Sequence, residues 1–232
     1  MINRYFVLDG ESSMQYGISM QGHPSFSAPT PKIEKVTVPG RNGDLISFDG
    51  SYSNVQAEIP CFILKDSAYD FIAEANTWLS IPGYRRLTYD GDEEAYRLAR
   101  ITNLAEVSVS MHVLNPFVLK FECKPQRFLM SGEQTIEMSS SGSIFCPGFG
   151  GLPLIRIYGT GTVTINDKSI IVTSVNEYVD VDCDTQNAYK LGDNKNSTIQ
   201  CAEFPKMQYG ENAITISSGI SKIEITPRWF TL

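Results

Sequence analysis

The chain has 232 residues, of which 42% are hydrophobic and 19% charged, below the roughly 25% charged share of an average soluble protein. Nineteen basic against 26 acidic residues leave a net charge of −7, which excludes the basic footprint of a nucleic-acid binder and disfavours an anionic membrane surface. The length fits one large domain or two ordinary ones, and no apolar run approaches the roughly 18 residues that cross a bilayer.

In chain order, the N-terminus offers only residues 5–8 as an apolar stretch, too short for a signal peptide, so folding in the cytoplasm is expected. Pro24, Pro29 and Pro31 make a stiff approach to Pro39-Gly40-Arg41-Asn42-Gly43, a strong turn signal without phosphate-loop spacing. Residues 55–63 place Val55, Ala57, Ile59, Cys61 and Ile63 on one parity, a half-buried antiparallel strand. Phe71, Ile72, Ala75, Trp78 and Leu79 then share one face of a helix, with Ser67 as its cap, Asp70 completing a capping box and Pro82-Gly83 as its stop. Residues 84–89 and 96–101 read as a hairpin around Asp90-Gly91. Period two returns over 105–113 and 117–123, divided by Asn115-Pro116.

A boundary is expected at 131/132, giving domains 1–131 and 132–232. After a short strand at 135–138, the Ser- and Gly-rich residues 139–151 read as a flexible, protease-sensitive loop. Short strands follow at 154–158, 162–165, 170–172, 178–183, 198–201, 213–217 and 222–226, with no helix among them. The expected fold is mainly β with one helix. The N-terminal part suggests a barrel closed by a helix or an α+β domain, and the C-terminal part a β-sandwich.

Catalytic chemistry is weakly marked. The two histidines, His23 and His112, lie in a Gly- and Pro-rich stretch and on a polar strand face, and no G-x-S-x-G occurs. Asp90, Asp92, Glu93 and Glu94 lack calcium-loop spacing and read as a solvated hairpin tip. Asp180 and Asp182 share a strand face opposite Val179 and Val181, which reads as solvated surface rather than a glycosidase pair. Five scattered cysteines without a CxxC pair read as small hydrophobes with reduced thiols, not as a zinc site or disulfide framework. No enzyme activity, metal or cofactor is expected.

Four stretches, in order along nearly the whole chain, carry a resemblance. They are Val38-Pro39-Gly40-Arg41-Asn42-Gly43-Asp44-Leu45; Gly83-Tyr84-Arg85-Arg86-Leu87-Thr88-Tyr89 with Tyr96-Arg97-Leu98-Ala99-Arg100-Ile101; Pro153-Leu154-Ile155-Arg156-Ile157-Tyr158-Gly159-Thr160-Gly161; and Gly210-Glu211-Asn212 with Ile223-Glu224-Ile225-Thr226-Pro227-Arg228-Trp229. Together they resemble the distal tail protein family of siphovirus-type bacteriophages. The resemblance implies a ring-forming, barrel-like N-terminal domain with a helix and a galectin-like C-terminal sandwich. It implies a homohexameric ring at the virion tail tip, joining the tail tube protein to the tail-associated lysin or tip protein and, in some relatives, to a receptor-binding protein. In evolved relatives extra carbohydrate-binding modules are inserted, and this chain's length leaves no room for one. On this reading Pro39, Gly40, Arg41, Asn42 and Gly43 form a ring contact, with Arg41 offering a bidentate bond to a neighbour's carboxylate. An ordinary hairpin connection is the alternative for that loop. The alternative function is a carbohydrate-binding module recognising host glycan, which an exposed aromatic on the sandwich would favour.

Overall fold

The computed structural model describes residues 4–63, 68–103 and 116–232, with backbone alone for residues 68–72. The strand expected at 105–113, with His112, lies outside the described residues, as do Ser67, Asn115 and the side chains of Asp70, Phe71 and Ile72. The chain divides into two compact units, Met1–Arg127 and Phe128–Thr231.

The first unit runs β1 (Phe6–Leu8), β2 (Glu11–Ser12), β3 (Ile18–Met20), β4 (Ser25–Phe26), β5 (Pro31–Val36), β6 (Leu45–Tyr52), β7 (Val55–Ile63), α1 (Ala68–Leu79), β8 (Arg85–Tyr89), β9 (Ala95–Ile101) and β10 (Pro116–Leu129), whose end passes the unit boundary. Pairing follows the order β1-β8-β9-β10-β7-β3. A bridge from Met20 to Arg4 then brings β3 back beside the start of β1, with Met20 N donating to Arg4 O at 2.9 Å. The strands therefore close on themselves as a barrel, which leaves few open edges. Alternation decides what fills it. The inward parity of β7 meets Leu119, Phe121 and Cys123 of β10, and Phe6, Ile59, Leu119 and Phe121 are fully buried. Each such side chain contributes about 1.5–3 kcal/mol by leaving water.

The helix packs its apolar face on this core through Ala75, Trp78 and Leu79. The Trp78 ring stacks on Tyr16 at 4.4 Å and on Phe6 at 5.7 Å. Arg85 donates from Nη1 to the carbonyl of Trp78 and from Nε to Asp9, so a cation satisfies the helix's C-terminal end. Ser80, Ile81 and Pro82-Gly83, with Gly83 at φ +102°, end the helix as the sequence predicts.

The second unit carries β11 (Ile136–Met138), β12 (Gly142–Gly151), β13 (Leu154–Gly159), β14 (Gly161–Ile165), β15 (Lys168–Val172), β16 (Tyr178–Asp182), β17 (Asn187–Lys190), β18 (Asp193–Asn194), β19 (Ile199–Cys201), β20 (Met207–Ile216), β21 (Ile220–Thr226) and β22 (Trp229–Thr231). One sheet orders β19-β15-β14-β20-β12-β22 and the other β11-β21-β13-β16-β17-β18. Their inner faces share one core, with Val163, Ile165, Ile170 and Ile214 from the first sheet and Ile155, Ile157, Val181 and Ile223 from the second. This is a β-sandwich.

One segment departs from the sequence reading. Residues 142–151 form strand β12, not a flexible loop, and pair with β20 from Gly142↔Ile214 to Gly151↔Met207. The glycines there serve close packing. A Cβ on Gly148 would lie 2.4 Å from Phe230 O, and one on Gly151 would lie 2.5 Å from Pro227 O. Buried Asn212 holds the irregular register. Its Nδ2 donates to Gln208 O and Gly210 O at 2.9 Å, and its Oδ1 accepts from Gln208 N.

Candidate assembly surface

Among the described residues, strands β5 and β6 pair only with each other. The register Ile33↔Phe48, Lys35↔Ile46 and Val36↔Leu45 assigns the faces, because directly paired residues point the same way. Ile33, Phe48 and Ile46 share one face with the aliphatic stem of Lys35. Val36 and Leu45 form a cross-strand pair on the other. All five apolar side chains are exposed, Ile46 to 64%. An isolated two-stranded ribbon is at best marginally stable in water, and this one turns its apolar side chains outward.

The ribbon is built for definite geometry. At its tip Thr37 Oγ1 donates to Asp44 Oδ1 at 2.8 Å and Arg41 N to Val38 O at 3.2 Å. Gly40 and Gly43 take φ of +79° and +80°, values that a side chain would strain. A bulge at Gly50, φ +86°, shifts the register, and Ser51 N donates to Asp49 Oδ1 beside it. Hydrogen bonds from the Ser51 side chain and backbone hold the Asp49 carboxyl below its ordinary value. At the base Ser53 N donates to Thr30 O at 2.8 Å. There Asn54 Nδ2 donates to Tyr84 OH and to Glu122 Oε1, and Arg100 grips both oxygens of Glu122. The ribbon therefore springs from a fixed polar anchor on the barrel. Pro39, Gly40, Arg41, Asn42 and Gly43 sit together in its tip loop. All five are exposed, and Arg41 makes no ion pair among the described residues.

Most of the other described candidate groups are occupied, while Glu93 and Glu94 stand exposed at the hairpin tip. Arg4 Nη1 lies 2.5 Å from His23 Nε2. Asp92 of the acidic hairpin is not a freely solvated tip group, because Arg127 holds both its oxygens and its side chain is 17% exposed. Asp180 and Asp182 also depart from the expected solvated surface, at 5% and 6% exposure. Arg156 donates from Nε and Nη2 to Asp180 at 2.7 and 3.0 Å, and Arg228 from Nη1 and Nη2 to Asp182 at 2.8 and 3.2 Å. Both carboxylates are thus committed to guanidinium groups. Cys61, Cys123, Cys146 and Cys183 are buried and free, and burial pushes the Cys61 and Cys183 thiols up to about 12. No group of three metal-binding side chains is assembled among the described residues.

The sequence reading did not locate the exposed aromatics. On the sandwich they are Phe145 and Phe149 on β12, each 54% exposed, and Tyr209 on β20 at 73%, with Phe145 and Tyr209 ring centroids 6.3 Å apart. Phe145 and Phe149 fall in the segment read as a loop, and Tyr209 falls between the strands read from the sequence at 198–201 and 213–217.

No protein family matches the chain, and no curated protein matches it by sequence. Its fold does match solved structures. Over 96% of this chain and 97% of the other, it superposes with a TM-score of 0.69 and 14% sequence identity on the crystal structure of the SPP1 Dit (gp 19.1) protein. That protein is described as a paradigm of hub adsorption apparatus in Gram-positive infecting phages. The chain therefore has the mainly β, barrel-and-sandwich fold of a phage distal tail protein.

Proposed function

We propose that this chain is the structural hub of a phage or prophage tail tip. Copies assemble head to tail into a hexameric ring that joins the tail tube protein to the tip or tail-associated lysin protein, with receptor-binding proteins at its side. It works by presenting surfaces, not by catalysis. The observation that carries this reading is the β5–β6 ribbon, whose apolar side chains find no cover within the described chain. A second copy supplies that cover at low entropic cost, because the anchored ribbon is already ordered. A cyclic ring needs two different patches per subunit, and a projecting ribbon is suited to be one of them. The low charged fraction reduces the desolvation cost of burying large surfaces. Sedimentation or light scattering at micromolar concentration is expected to show a closed oligomer, alone or on mixing with tube and tip partners. A strict monomer under all of these conditions would overturn the proposal.

A further inference from the structure

Asn42 precedes Gly43 in the tip loop of the ribbon, and this is the one Asn-Gly pair in the sequence. Such a pair holds an electrophile next to a nucleophile. The side-chain amide carbon of an asparagine and the backbone nitrogen of the next residue close a five-membered ring, with the advantage that proximity gives an intramolecular reaction. Two things ordinarily prevent closure. A side chain on the next residue crowds the nitrogen, or hydrogen bonds pin the amide and the N–H.

Neither restraint operates at the ribbon tip. Gly43 carries no side chain, and both residues are exposed. The hydrogen bonds of the tip run from Arg41 N to Val38 O and from Thr37 Oγ1 to Asp44 Oδ1, and among the described residues neither the Asn42 amide nor the Gly43 N–H has a partner. We infer that Asn42 is a site of spontaneous covalent modification, at which the folded chain converts to aspartate and isoaspartate.

Other asparagines are held where Asn42 is not. The Asn54 amide donates to Tyr84 OH and Glu122 Oε1, and the β-branched Val55 follows it. Asn166 donates to Asn212 Oδ1 and accepts from Ala213 N. Asn196 accepts from Ala188 N and donates to Asn187 Oδ1. Asn212 is fully buried and bonded. The Asp-Gly pairs at Asp9 and Asp49 have no amide to lose, and backbone donors Arg86 N and Ser51 N hold their carboxylates.

The chemistry needs only water. The Gly43 nitrogen loses its proton and attacks the Asn42 amide carbon. The new C–N bond closes a succinimide as the old bond to Nδ2 breaks, and Nδ2 leaves as ammonia. Water then opens the ring at either carbonyl. One opening gives aspartate, and the other gives isoaspartate, in which the main chain runs through the former side chain. Either product adds one negative charge beside Arg41. Isoaspartate also lengthens the backbone of a turn whose Gly40 and Gly43 hold φ of +79° and +80°. On the ring reading above, on which this consequence alone rests, the new carboxylate competes with a neighbour's for the Arg41 guanidinium.

The test is peptide mass mapping of the full chain after incubation in buffer, beside the same chain in denaturant. The peptide holding Asn42 is expected to gain about 1 Da, split between two products of equal mass that chromatography separates. The folded and denatured chains are expected to convert at rates within about tenfold of each other, because the loop imposes little restraint. The rate should rise about tenfold per pH unit from about pH 7 to about pH 9, since the attacking nitrogen must be deprotonated. Gly43→Ala should slow conversion about tenfold or more by crowding that nitrogen. Asn42→Gln, which would have to close a larger ring, should abolish it with thermal unfolding unchanged. The proposal is overturned if the folded chain gains no mass at Asn42, whether or not the denatured chain does. It is also overturned if other asparagines gain mass as fast, or if Gly43→Ala converts at the original rate. Conversion needs no assembly, so a strict monomer that converts overturns the ring and leaves this site standing.

Discussion

Arg228 places its two terminal nitrogens on the two oxygens of Asp182, at 2.8 and 3.2 Å, and so ties the start of β22 to the end of β16. Burial alone would raise the Asp182 carboxyl. The Arg228 guanidinium and the amides of Thr185 and Asp184 outweigh it and hold the group below its ordinary 3.8. Arg228 itself sits at φ +54°, a conformation with a cost that this contact helps to offset. Arg228→Ala leaves a largely buried carboxylate unpaired and is expected to cost about 3 kcal/mol. Asp182→Asn, which keeps the shape and removes the charge, should cost less. Chemical denaturation of both variants checks the order.

The same pair sets a pH dependence. A carboxyl with a lowered value in the folded state stabilises the fold above its unfolded value and loses that contribution as pH falls through the folded one. Asp92 behaves alike, held low first by its hydrogen bond to Arg127. The melting temperature is therefore expected to hold from neutrality down to about pH 5 and to fall once pH drops below the ordinary carboxyl range near 3.8. In Asp182→Asn the acid-side fall should be shallower. An identical acid limb in both proteins would remove Asp182 from the linkage.

The glycines of β12 give a prediction opposite to the one their composition suggests. Gly148→Ala forces a methyl against Phe230 O, and overpacking of this kind costs about 1–3 kcal/mol. Gly210→Ala meets no atom within 4 Å and strains only its φ of +90°, a cost of about 1 kcal/mol. Limited proteolysis should spare residues 142–151, whose backbone is paired, and cut first at the exposed ribbon tip, residues 37–44. Mass spectrometry of the first fragments decides between the two sites.

What the sequence made legible follows from where the information lies. The alternation over 55–63 and 117–123 needs only neighbours two residues apart, so its strands and buried parity are readable directly. The helix face and its Pro-Gly stop are local in the same sense. Burial of Asp180 and Asp182 was not readable, because their partners stand 24 and 46 residues away. Strand β12 was hidden for a related reason. Its glycines read as flexibility, whereas they admit backbone from residues 227–230, a requirement set by tertiary packing. The ribbon falls between these cases. Prolines and the turn at Pro39 to Gly43 marked a projecting segment, but only the pairing of Ile33 with Phe48 and Lys35 with Ile46 shows that one face is apolar.

That pairing sharpens the assembly test. The contact expected at the tip loop, through Arg41, is charged and exposed, and such contacts are worth at most about 1 kcal/mol. The ribbon's apolar face offers more. Ile33, Ile46 and Phe48 are 43%, 64% and 46% exposed, and covering a large apolar side chain contributes about 1.5–3 kcal/mol. If the ribbon seats on a second copy, Ile46→Glu should dissociate the oligomer, because it places a charge in a desolvated contact. Arg41→Glu should weaken it about fivefold or less, in line with an exposed pair. Neither change touches a buried residue of the monomer, so circular dichroism and the melting temperature of the isolated subunit should stay unchanged. Ile46→Glu could even raise solubility by removing an exposed apolar group. Light scattering on the two variants separates the contributions. An oligomer unaffected by Ile46→Glu but lost in Arg41→Glu would place the contact at the loop, and one unaffected by both would remove the ribbon from the interface.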